Sequence, residues 1–558
     1  MRRRMAVVAA LLSMAVLAGC ASIPTSGSVQ QGRATEPDQL DLDVLVDGPQ
    51  PGATQEQILQ GFIEAAASPR NNYQVARSFL TDDFAGAWQS DAGGTIDVLA
   101  DRQMSAMSDA EWRVQAVPAA NLAPDGQYLQ PESVTAIPLE YTFEQVDGEW
   151  RISNAPPGIL IDESTFELVW REYTLYFYDP QFRYLVPDVR WFAGRETAQT
   201  SIVRALLAGP AEWLAPGVVS AFPEDVQLES PTVPVSGGVA DVSLTGPAFD
   251  SLLTIQRMRY QLQESLLGVR NVTEVRLSLN GGVEEVADLA DAPVRTPRIN
   301  QRPVVSDGAT FGFLATSGEE IVAIDGLSEQ VTALDPTGAS LGPGGESAAV
   351  RSADGVSIVR SGEDAVLLDP RAGLVAPAID GYGDVWSVPA DSPDALVWFG
   401  PDGTATQVSA PWTGSRIAAI EVSRDSTRLV ALLADGSRSR IVATSIQRDS
   451  DGNPVALGPV PLNLADVAGV PLDVTWLDAK TVGSITEAPG GGARLVEQEV
   501  GGRADATDGP AGAREIVGAN SLRELRVLTT AGDLVTRAGV GWQGQATGIR
   551  FLAPQQPD

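Results

Sequence analysis

Short runs of β-forming residues alternate with tight turns from about residue 293 to the end of the chain, and this repeat constrains the fold more than any other feature. The turns include Asp307-Gly308, Asp354-Gly355, Asp402-Gly403, Asp435-Gly436 and Gly532-Asp533. Candidate units begin near Pro303, Ser347, Tyr382, Arg416, Leu472 and Arg514. Their spacing of roughly 33 to 55 residues matches the length of propeller blades. The repeat therefore predicts a β-propeller of about six blades, with a pair of β-sandwiches as the alternative.

The last residues of the chain are predicted to close this ring. A propeller whose first and last blades do not pair leaves strand edges exposed. The β-forming run from Gly548 to Leu552 lies at the end of the chain, and Pro303-Val304-Val305 lies at the start of the repeat. We therefore expect these two segments to pair.

Residues 163–292 read as a separate domain that mixes helices and strands. Periodicity predicts strands at 173–178, 239–244 and 275–279 and helices at 197–208 and about 249–267, with Gly209-Pro210 and Gly268 ending the helices. Four motifs stand in a fixed order: Leu206-Leu207-Ala208-Gly209-Pro210, Ser220-Ala221-Phe222-Pro223, Ala240-Asp241-Val242-Ser243-Leu244 and the stretch from Gln261 to Asn280. This order resembles the GerM-type domain, first described in spore germination.

Residues 55–162 are predicted to form an α+β domain. Ile58, Leu59, Phe62 and Ile63 recur at helical spacing, as do Val75, Phe79, Leu80 and Phe84. Strand-like runs follow, and Asp147-Gly148 marks a hairpin. Helices followed by a meander resemble a small cone-shaped fold of the cystatin or nuclear-transport-factor kind. The fold class is therefore multidomain, with an α+β cone-like domain, a GerM-type domain and an all-β propeller.

The N-terminus carries a lipoprotein signal. Arg2, Arg3 and Arg4 precede an apolar run that closes with Leu17-Ala18-Gly19-Cys20, and Cys20 is the single cysteine of the chain. A charged start, an apolar core and small residues before the cut define a secretory signal peptide. We expect Cys20 to carry a diacylglyceryl anchor and residues 20–54, rich in Gly, Pro, Ser and acids, to form a flexible tether. The expected location is the extracytoplasmic face of the cell membrane.

Composition excludes several functions. The chain contains no histidine, so it has no Ser-His or Cys-His nucleophile and no histidine metal site. Its formal net charge of −34 repels nucleic acid. We expect no catalytic residue, no cofactor and no metal, although pairs drawn from the 72 acidic residues leave a carboxylate-dependent hydrolase open.

Several local motifs are interpreted as structural. Gly338-Ala339-Ser340-Leu341-Gly342 fits the serine-hydrolase elbow, but no helix signal follows it and no histidine exists. The stretch from Gly539 to Gly544 fits the dinucleotide pattern without room for a βαβ unit. The loop that begins at Asp449 lacks the later ligands of a calcium loop, and Lys480 is expected in a blade turn. The tryptophans of the repeat are expected in blade cores: Trp386, Trp398, Trp412, Trp476 and Trp542.

The combination of features resembles the LpqB family of actinobacterial lipoproteins. These features are the lipobox, a tether (20–54), the cone-like domain (55–162), the GerM-type domain (163–292) and the propeller (293–558), after a signal peptide at 1–19. The resemblance implies an accessory role with the sensor histidine kinase MtrB, modulating the MtrA response and thereby cell-wall homeostasis and division. No motif identifies the residues that contact the kinase. The alternative is a wall-polymer protein, either a polysaccharide or peptidoglycan binder or a carboxylate-dependent glycoside hydrolase.

Overall fold

The computed structural model describes residues 47–131, 133–193, 198–318, 320–436, 438–488, 490–539 and 541–558. Cys20, the signal peptide and the tether up to residue 46 lie outside these residues. The described residues fall within one compact unit of the chain.

The first domain packs three helices against two four-stranded sheets. Thr54 and Gln57 form a reciprocal capping box that starts the first helix, and Ile58, Leu59 and Phe62 bury its apolar face. The helices are α1 (Gln55–Ala66), α2 (Arg70–Arg77) and α3 (Asp82–Ala87). The strands are β1 (Gly94–Asp97), β2 (Gln103–Ala106), β3 (Glu111–Ala116), β4 (Pro118–Leu122), β5 (Tyr128–Leu129), β6 (Ile137–Val146), β7 (Glu149–Asn154) and β8 (Ile159–Asp162). Their orders are β2-β3-β6-β7 and β5-β4-β1-β8.

Two local expectations for this domain have different outcomes. Asp147 and Gly148 join β6 to β7 with φ of 53° and 81°, which confirms the predicted hairpin. The single helix expected through Val75 and Phe84 is wrong. The chain breaks into α2 and α3, because the Thr81 side chain accepts a hydrogen bond from the Phe84 N–H and starts a new helix, and Val75 is exposed.

The middle domain begins after α4 (Glu163–Val169) and contains a βαβ unit. Its elements are β9 (Trp170–Tyr178), β10 (Leu185–Ala193), α5 (Ala198–Ala208), β11 (Gln227–Leu228), β12 (Val235–Ser236), β13 (Val239–Thr245), α6 (Leu252–Leu266), β14 (Glu274–Leu279) and β15 (Gly282–Val283). Strand β13 pairs in parallel with β14, and α6 connects them. Leu252 and Leu253 of α6 are exposed because they form its first turn, directly after the N-cap Ser251.

Six sheets of the last domain form the propeller, which confirms the expected blade count. The strands of blades 1 to 3 are β16 (Val304–Ser306), β17 (Phe311–Leu314), β18 (Ile321–Ala323), β19 (Gly338–Leu341), β20 (Ser347–Ser352), β21 (Gly355–Arg360), β22 (Val366–Asp369), β23 (Ala378–Ile379), β24 (Val385–Ser387), β25 (Val397–Phe399) and β26 (Ala405–Gln407). One short helix, α7 (Ser328–Ala333), connects β18 to β19.

The strands of blades 4 to 6, with the strand that completes blade 1, are β27 (Arg416–Val422), β28 (Arg428–Asp435), β29 (Arg438–Arg448), β30 (Pro454–Leu457), β31 (Leu462–Ala468), β32 (Val470–Trp476), β33 (Thr481–Glu487), β34 (Ala493–Glu499), β35 (Ala504–Asp508), β36 (Ala513–Val517), β37 (Arg526–Thr529), β38 (Leu534–Ala538), β39 (Gly541–Ala546) and β40 (Phe551–Ala553). In blade 4, β30 and β31 pair with different parts of β29, so the outer edge of this blade is split between two strands.

The ring closes through β40, as expected from the sequence. Val304, Val305 and Ser306 of β16 lie opposite Ala553, Leu552 and Phe551 of β40. The innermost strands β40, β19, β23, β27, β32 and β36 contact one another in cyclic order. The β-sandwich alternative is therefore wrong.

Candidate functional site

The lipid acceptor predicted from the sequence, Cys20, lies outside the described residues and stays a prediction. Within the described ranges, none of the helices combines the length and the apolar character needed to cross a bilayer.

Strand β10 of the middle domain contacts both the first domain and the propeller. The Arg190 guanidinium binds both carboxylate oxygens of Asp188, at 2.9 and 2.8 Å, and reaches the first domain through the Asp125 carboxylate at 2.9 Å. The Trp191 ring packs 5.1 Å from Phe166, and its indole N–H donates to the Gly501 carbonyl in blade 5 at 3.0 Å. One strand of the middle domain therefore contacts the domains on both sides.

The energetics of this junction follow from burial. The Arg190 side chain is 1% exposed and that of Asp188 3%. Burial alone would lower the pKa of Arg190, but the two carboxylates outweigh it and raise the pKa, so the guanidinium stays charged. Sequence reasoning missed this junction. Its available signal was Asp188 and Arg190 two residues apart in an otherwise apolar strand, which places both side chains on one face.

The only lysine of the chain lies at a second domain contact. The Lys480 ammonium is 3.2 Å from Glu172 of the middle domain and 2.8 Å from Glu499 of blade 5. Lys480 occupies the turn between β32 and β33, as expected, and its backbone N–H donates to the Asp478 carboxylate at 2.8 Å. Burial lowers the pKa of Lys480, but the two glutamates outweigh this effect and raise it. A charged, paired ammonium is not a nucleophile.

The loop that connects β9 to β10 docks against blade 3. The Tyr382 hydroxyl donates to the Gln181 side chain at 2.7 Å. Arg448 lies beneath the Tyr382 ring and binds the carboxylates of Asp380 and Asp384, all three side chains being buried. Burial and the Asp380 charge raise the pKa of Asp384 to about 7, against the attraction of Arg448.

Three acidic residues lie on consecutive innermost strands: the buried Glu421 on β27, and the half-buried Asp473 on β32 and Glu515 on β36. Asp473 accepts the Ile516 N–H of the next blade at 2.8 Å, and Glu515 accepts the Leu552 N–H at 2.7 Å. Burial raises the pKa of all three, that of Glu421 to about 7. The Asp473 and Glu515 carboxylates therefore link neighbouring blades.

Hydrogen bonds of Arg424 and Gln556 connect blades of the propeller that are not neighbours. Arg424, in the turn after β27, donates to the carbonyl oxygens of Leu477 in blade 5 and Ala519 in blade 6. The C-terminal segment crosses from blade 1, where the Gln556 N–H donates to the Leu341 oxygen of blade 2 at 3.0 Å. The Gln556 amide also donates to the Val422 oxygen of blade 4 at 3.3 Å. The chain terminus therefore ties together blades on opposite sides of the ring.

The sequence patterns that resemble a serine-hydrolase elbow, a dinucleotide site and a calcium loop lie in strands and turns of the propeller. Ser340 is buried on β19 and donates to the Pro377 carbonyl at 2.8 Å. Gly541 begins strand β39 of a hairpin, where a dinucleotide site would need a helix. Asp449 accepts the N–H groups of Asp451 and Asn453 within its own turn, at 2.9 Å each.

The repeat tryptophans are core residues with one exception. Trp386, Trp398, Trp412 and Trp476 are buried between blades. Trp542 is half-buried on β39 beside Arg537. Over the ranges that the structure describes, acidic side chains do not gather in threes with a geometry that could hold a metal ion.

The first domain contains two cavities. A pocket of about 230 Å³ lies between α1 and the sheets, with Tyr141 as its only ionisable lining residue. A larger cavity of about 860 Å³ runs between α1, β8 and residues 47–53. We call the larger cavity the α1–β8 groove.

Family models cover most of the chain. Residues 48–167 match the N-terminal domain of lipoprotein LpqB, residues 174–285 match the sporulation and spore germination (Germane) domain, and residues 312–557 match the β-propeller domain of lipoprotein LpqB. These matches confirm both family resemblances drawn from the sequence motifs. The exact domain bounds stay a prediction.

Three curated relatives match over most of their own length, and each is named lipoprotein LpqB. The Cutibacterium acnes protein is 27% identical and covers 84% of both chains. The Thermobifida fusca protein is 27% identical over 97% of this chain and 86% of the relative, and the Mycobacterium ulcerans protein is 28% identical over 80% of both. Among solved structures, a nidogen/laminin complex aligns at 10% identity over 42% of this chain and 86% of its own, with a TM-score of 0.30, and streptogramin B lyase aligns at 16% identity over 36% of this chain and 64% of its own, with a TM-score of 0.26. On the family models and these relatives, the chain belongs to the LpqB lipoprotein family.

Proposed function

We propose that this protein is anchored by a lipid on Cys20 at the extracytoplasmic face of the membrane, where it binds a sensor histidine kinase of the MtrB type and modulates its signalling. The observation that carries the proposal is the buried junction at Arg190 and Trp191, which joins three domains into one body. A rigid body held near the membrane presents fixed surfaces at high local concentration, so weak contacts with a membrane partner are sufficient.

The described side chains support a binding role over catalysis. The half-buried carboxylates of Asp473 and Glu515 accept backbone N–H groups of neighbouring blades, which leaves them unsuited to act as a general acid and base pair on a substrate. Four of the five repeat tryptophans are buried, so they offer no surface on which sugar rings could stack. Both observations favour the kinase partner over a wall polymer.

The proposal is tested by crosslinking intact membranes and isolating the protein with its neighbours. We expect a sensor histidine kinase with the native protein and its loss with Cys20→Ala, which removes the anchor. Ser22→Ala is the matched control and should retain both lipid labelling and the kinase. Reproducible isolation without any histidine kinase would contradict the kinase proposal. Unchanged lipid labelling of Cys20→Ala would contradict the anchor.

A further inference from the structure

The smaller cavity of the first domain lies where α1 meets both sheets. Phe62 and Ala66 of α1 form one wall, Tyr141 of β6 belongs to one sheet, and Leu122 of β4 and Ile159 of β8 belong to the other. Its volume is about 230 Å³. A cavity of about 150 Å³ is enough to hold benzene, and clefts for drug-sized ligands begin at about 300 Å³. The smaller cavity therefore fits a molecule with a single ring and a short substituent.

This cavity is partly open to solvent. Of the residues that line it, Ala92 and Pro157 are exposed, and Thr95 and Leu139 are half-buried. These four residues mark its mouth. A small molecule can therefore enter between them while the helix and the sheets stay in place.

The lining of the smaller cavity carries no charge. Among the described residues, none that lines it is acidic or basic, whereas the lining of the α1–β8 groove includes Asp47, Glu64, Arg102 and Asp162. An ionised ligand would lose its hydration in the smaller cavity without gaining a countercharge, which is costly. The smaller cavity therefore selects uncharged molecules.

Tyr141 supplies a polar group to this apolar site. Its side chain is 3% exposed, and its ring packs edge-on against Phe62 with the ring centres 6.3 Å apart. In the described part of the chain, the Tyr141 hydroxyl has no hydrogen-bond partner. Burial raises its pKa, so the hydroxyl stays protonated and can donate a hydrogen bond. A buried donor that lacks an acceptor costs free energy, and a ligand that brings an acceptor recovers it.

We propose that the smaller cavity binds a small uncharged molecule of about eight to twelve non-hydrogen atoms that carries one hydrogen-bond acceptor. The apolar part of the ligand packs against Phe62 and Leu122, and its oxygen accepts a hydrogen bond from Tyr141. Short ketones, ethers and alcohols built on a ring or a branched chain form this class. The site goes beyond the proposed kinase role and does not depend on it.

The direct test uses acetophenone, ethylbenzene and benzoate, which share one ring and differ in the polar group. Each probe is titrated into the mature chain with Cys20→Ser, which carries no lipid, and isoleucine methyl signals are followed by NMR. We expect acetophenone to shift the signals of Ile63 and Ile159, which line the cavity, with a Kd of about 1 mM or lower. Ile152, a core residue of the same domain outside the lining, should not shift. Benzoate should not bind.

Two conservative variants separate the hydroxyl of the site from general packing. Tyr141→Phe keeps the ring and removes the hydroxyl, so it should weaken acetophenone by about fivefold or more and leave ethylbenzene nearly unchanged. Tyr128→Phe makes the same change at another buried tyrosine of this domain that does not line the cavity, so neither affinity should change. The unshifted Ile152 signal reports that each variant is folded. The comparison of the three probes on the unmodified side chains stands without any variant.

Specific outcomes would overturn the site. One is no saturable shift of Ile63 and Ile159 with acetophenone, or a Kd above about 1 mM. Another is benzoate that binds as tightly as acetophenone. A third is a Tyr141→Phe variant that binds acetophenone as the unmodified chain does, or that weakens acetophenone and ethylbenzene equally. Failure of the probe test leaves the kinase proposal standing, and failure to isolate a kinase leaves the probe result standing.

Discussion

At the scale of single residues, Glu421 shows how the propeller combines a buried carboxyl with blade packing. Burial raises the pKa of Glu421 from 4.5 to about 7. One of its oxygens has no hydrogen-bond partner. The folded state therefore binds this proton more tightly than the unfolded state, so the contribution of Glu421 to stability is fully present below about pH 4.5 and is lost as the pH rises from there through about 7. The loss is on the order of 3 kcal/mol, since one pKa unit corresponds to about 1.4 kcal/mol.

Replacing Glu421 by glutamine should remove this loss. We expect Glu421→Gln to raise the free energy of unfolding at pH 8 by about 1 to 3 kcal/mol and to change it little at pH 5. The pH dependence should become shallower but not vanish, because the half-buried Asp473 carboxyl also has a raised pKa. Urea denaturation at the two pH values measures both quantities. Glu487→Gln, at an exposed strand end, is the control and should follow the unmodified protein. A variant equally destabilised at both pH values would contradict the argument.

At the scale of elements, turns were predictable because their determinants are local. Asn280 and Gly281 have φ of 49° and 80°, values that asparagine and glycine tolerate better than other residues. The repeat of such turns was enough to predict six blades and the closing strand. Val75 was misplaced because helical spacing predicts which face is apolar, whereas burial depends on where the helix begins and what lies beside it. The split outer edge of blade 4 has no local signal.

The closing strand gives a prediction at the same scale. Deleting residues 551–558 removes β40, which leaves β16 as an open edge and removes Phe551 from its contact with Phe311. We expect this deletion to prevent cooperative folding of the propeller. Deleting only residues 556–558 removes the two Gln556 hydrogen bonds and should lower the free energy of unfolding by about 1 to 3 kcal/mol.

Circular dichroism during heating and size-exclusion chromatography distinguish these two deletions. A Gly-Ser extension after Asp558 is the control, because that residue is exposed and the extension should have no effect. If the protein lacking residues 551–558 kept the original melting temperature, ring closure by β40 would not contribute to stability.

At the scale of the whole molecule, the sequence predicts the order of the domains but not the contacts between them. Arg190 bonds to a residue 65 positions away and Trp191 to one 310 positions away, so no pattern of neighbouring residues could reveal either pair. Middle-domain residues such as Leu175 and Trp213 share one buried cluster with Val430 and Leu432 of blade 4. The candidate surfaces therefore depend on tertiary packing, which explains why only the lipid acceptor could be predicted residue by residue.

The three domains should unfold together because Arg190 connects the first domain to the middle domain. Arg190→Met keeps an apolar stem of similar length but leaves the Asp188 carboxylate buried without its cation, which should cost about 3 to 5 kcal/mol. We expect the unmodified protein to unfold in a single calorimetric transition. Because Arg190 also binds Asp125 of the first domain, the transition of Arg190→Met should broaden or separate into two. Arg276→Met is the matched control, since its ion pair with Asp241 is exposed and should contribute less than about 1 kcal/mol. A single transition at the original temperature in Arg190→Met would show that the domains are held together without this junction.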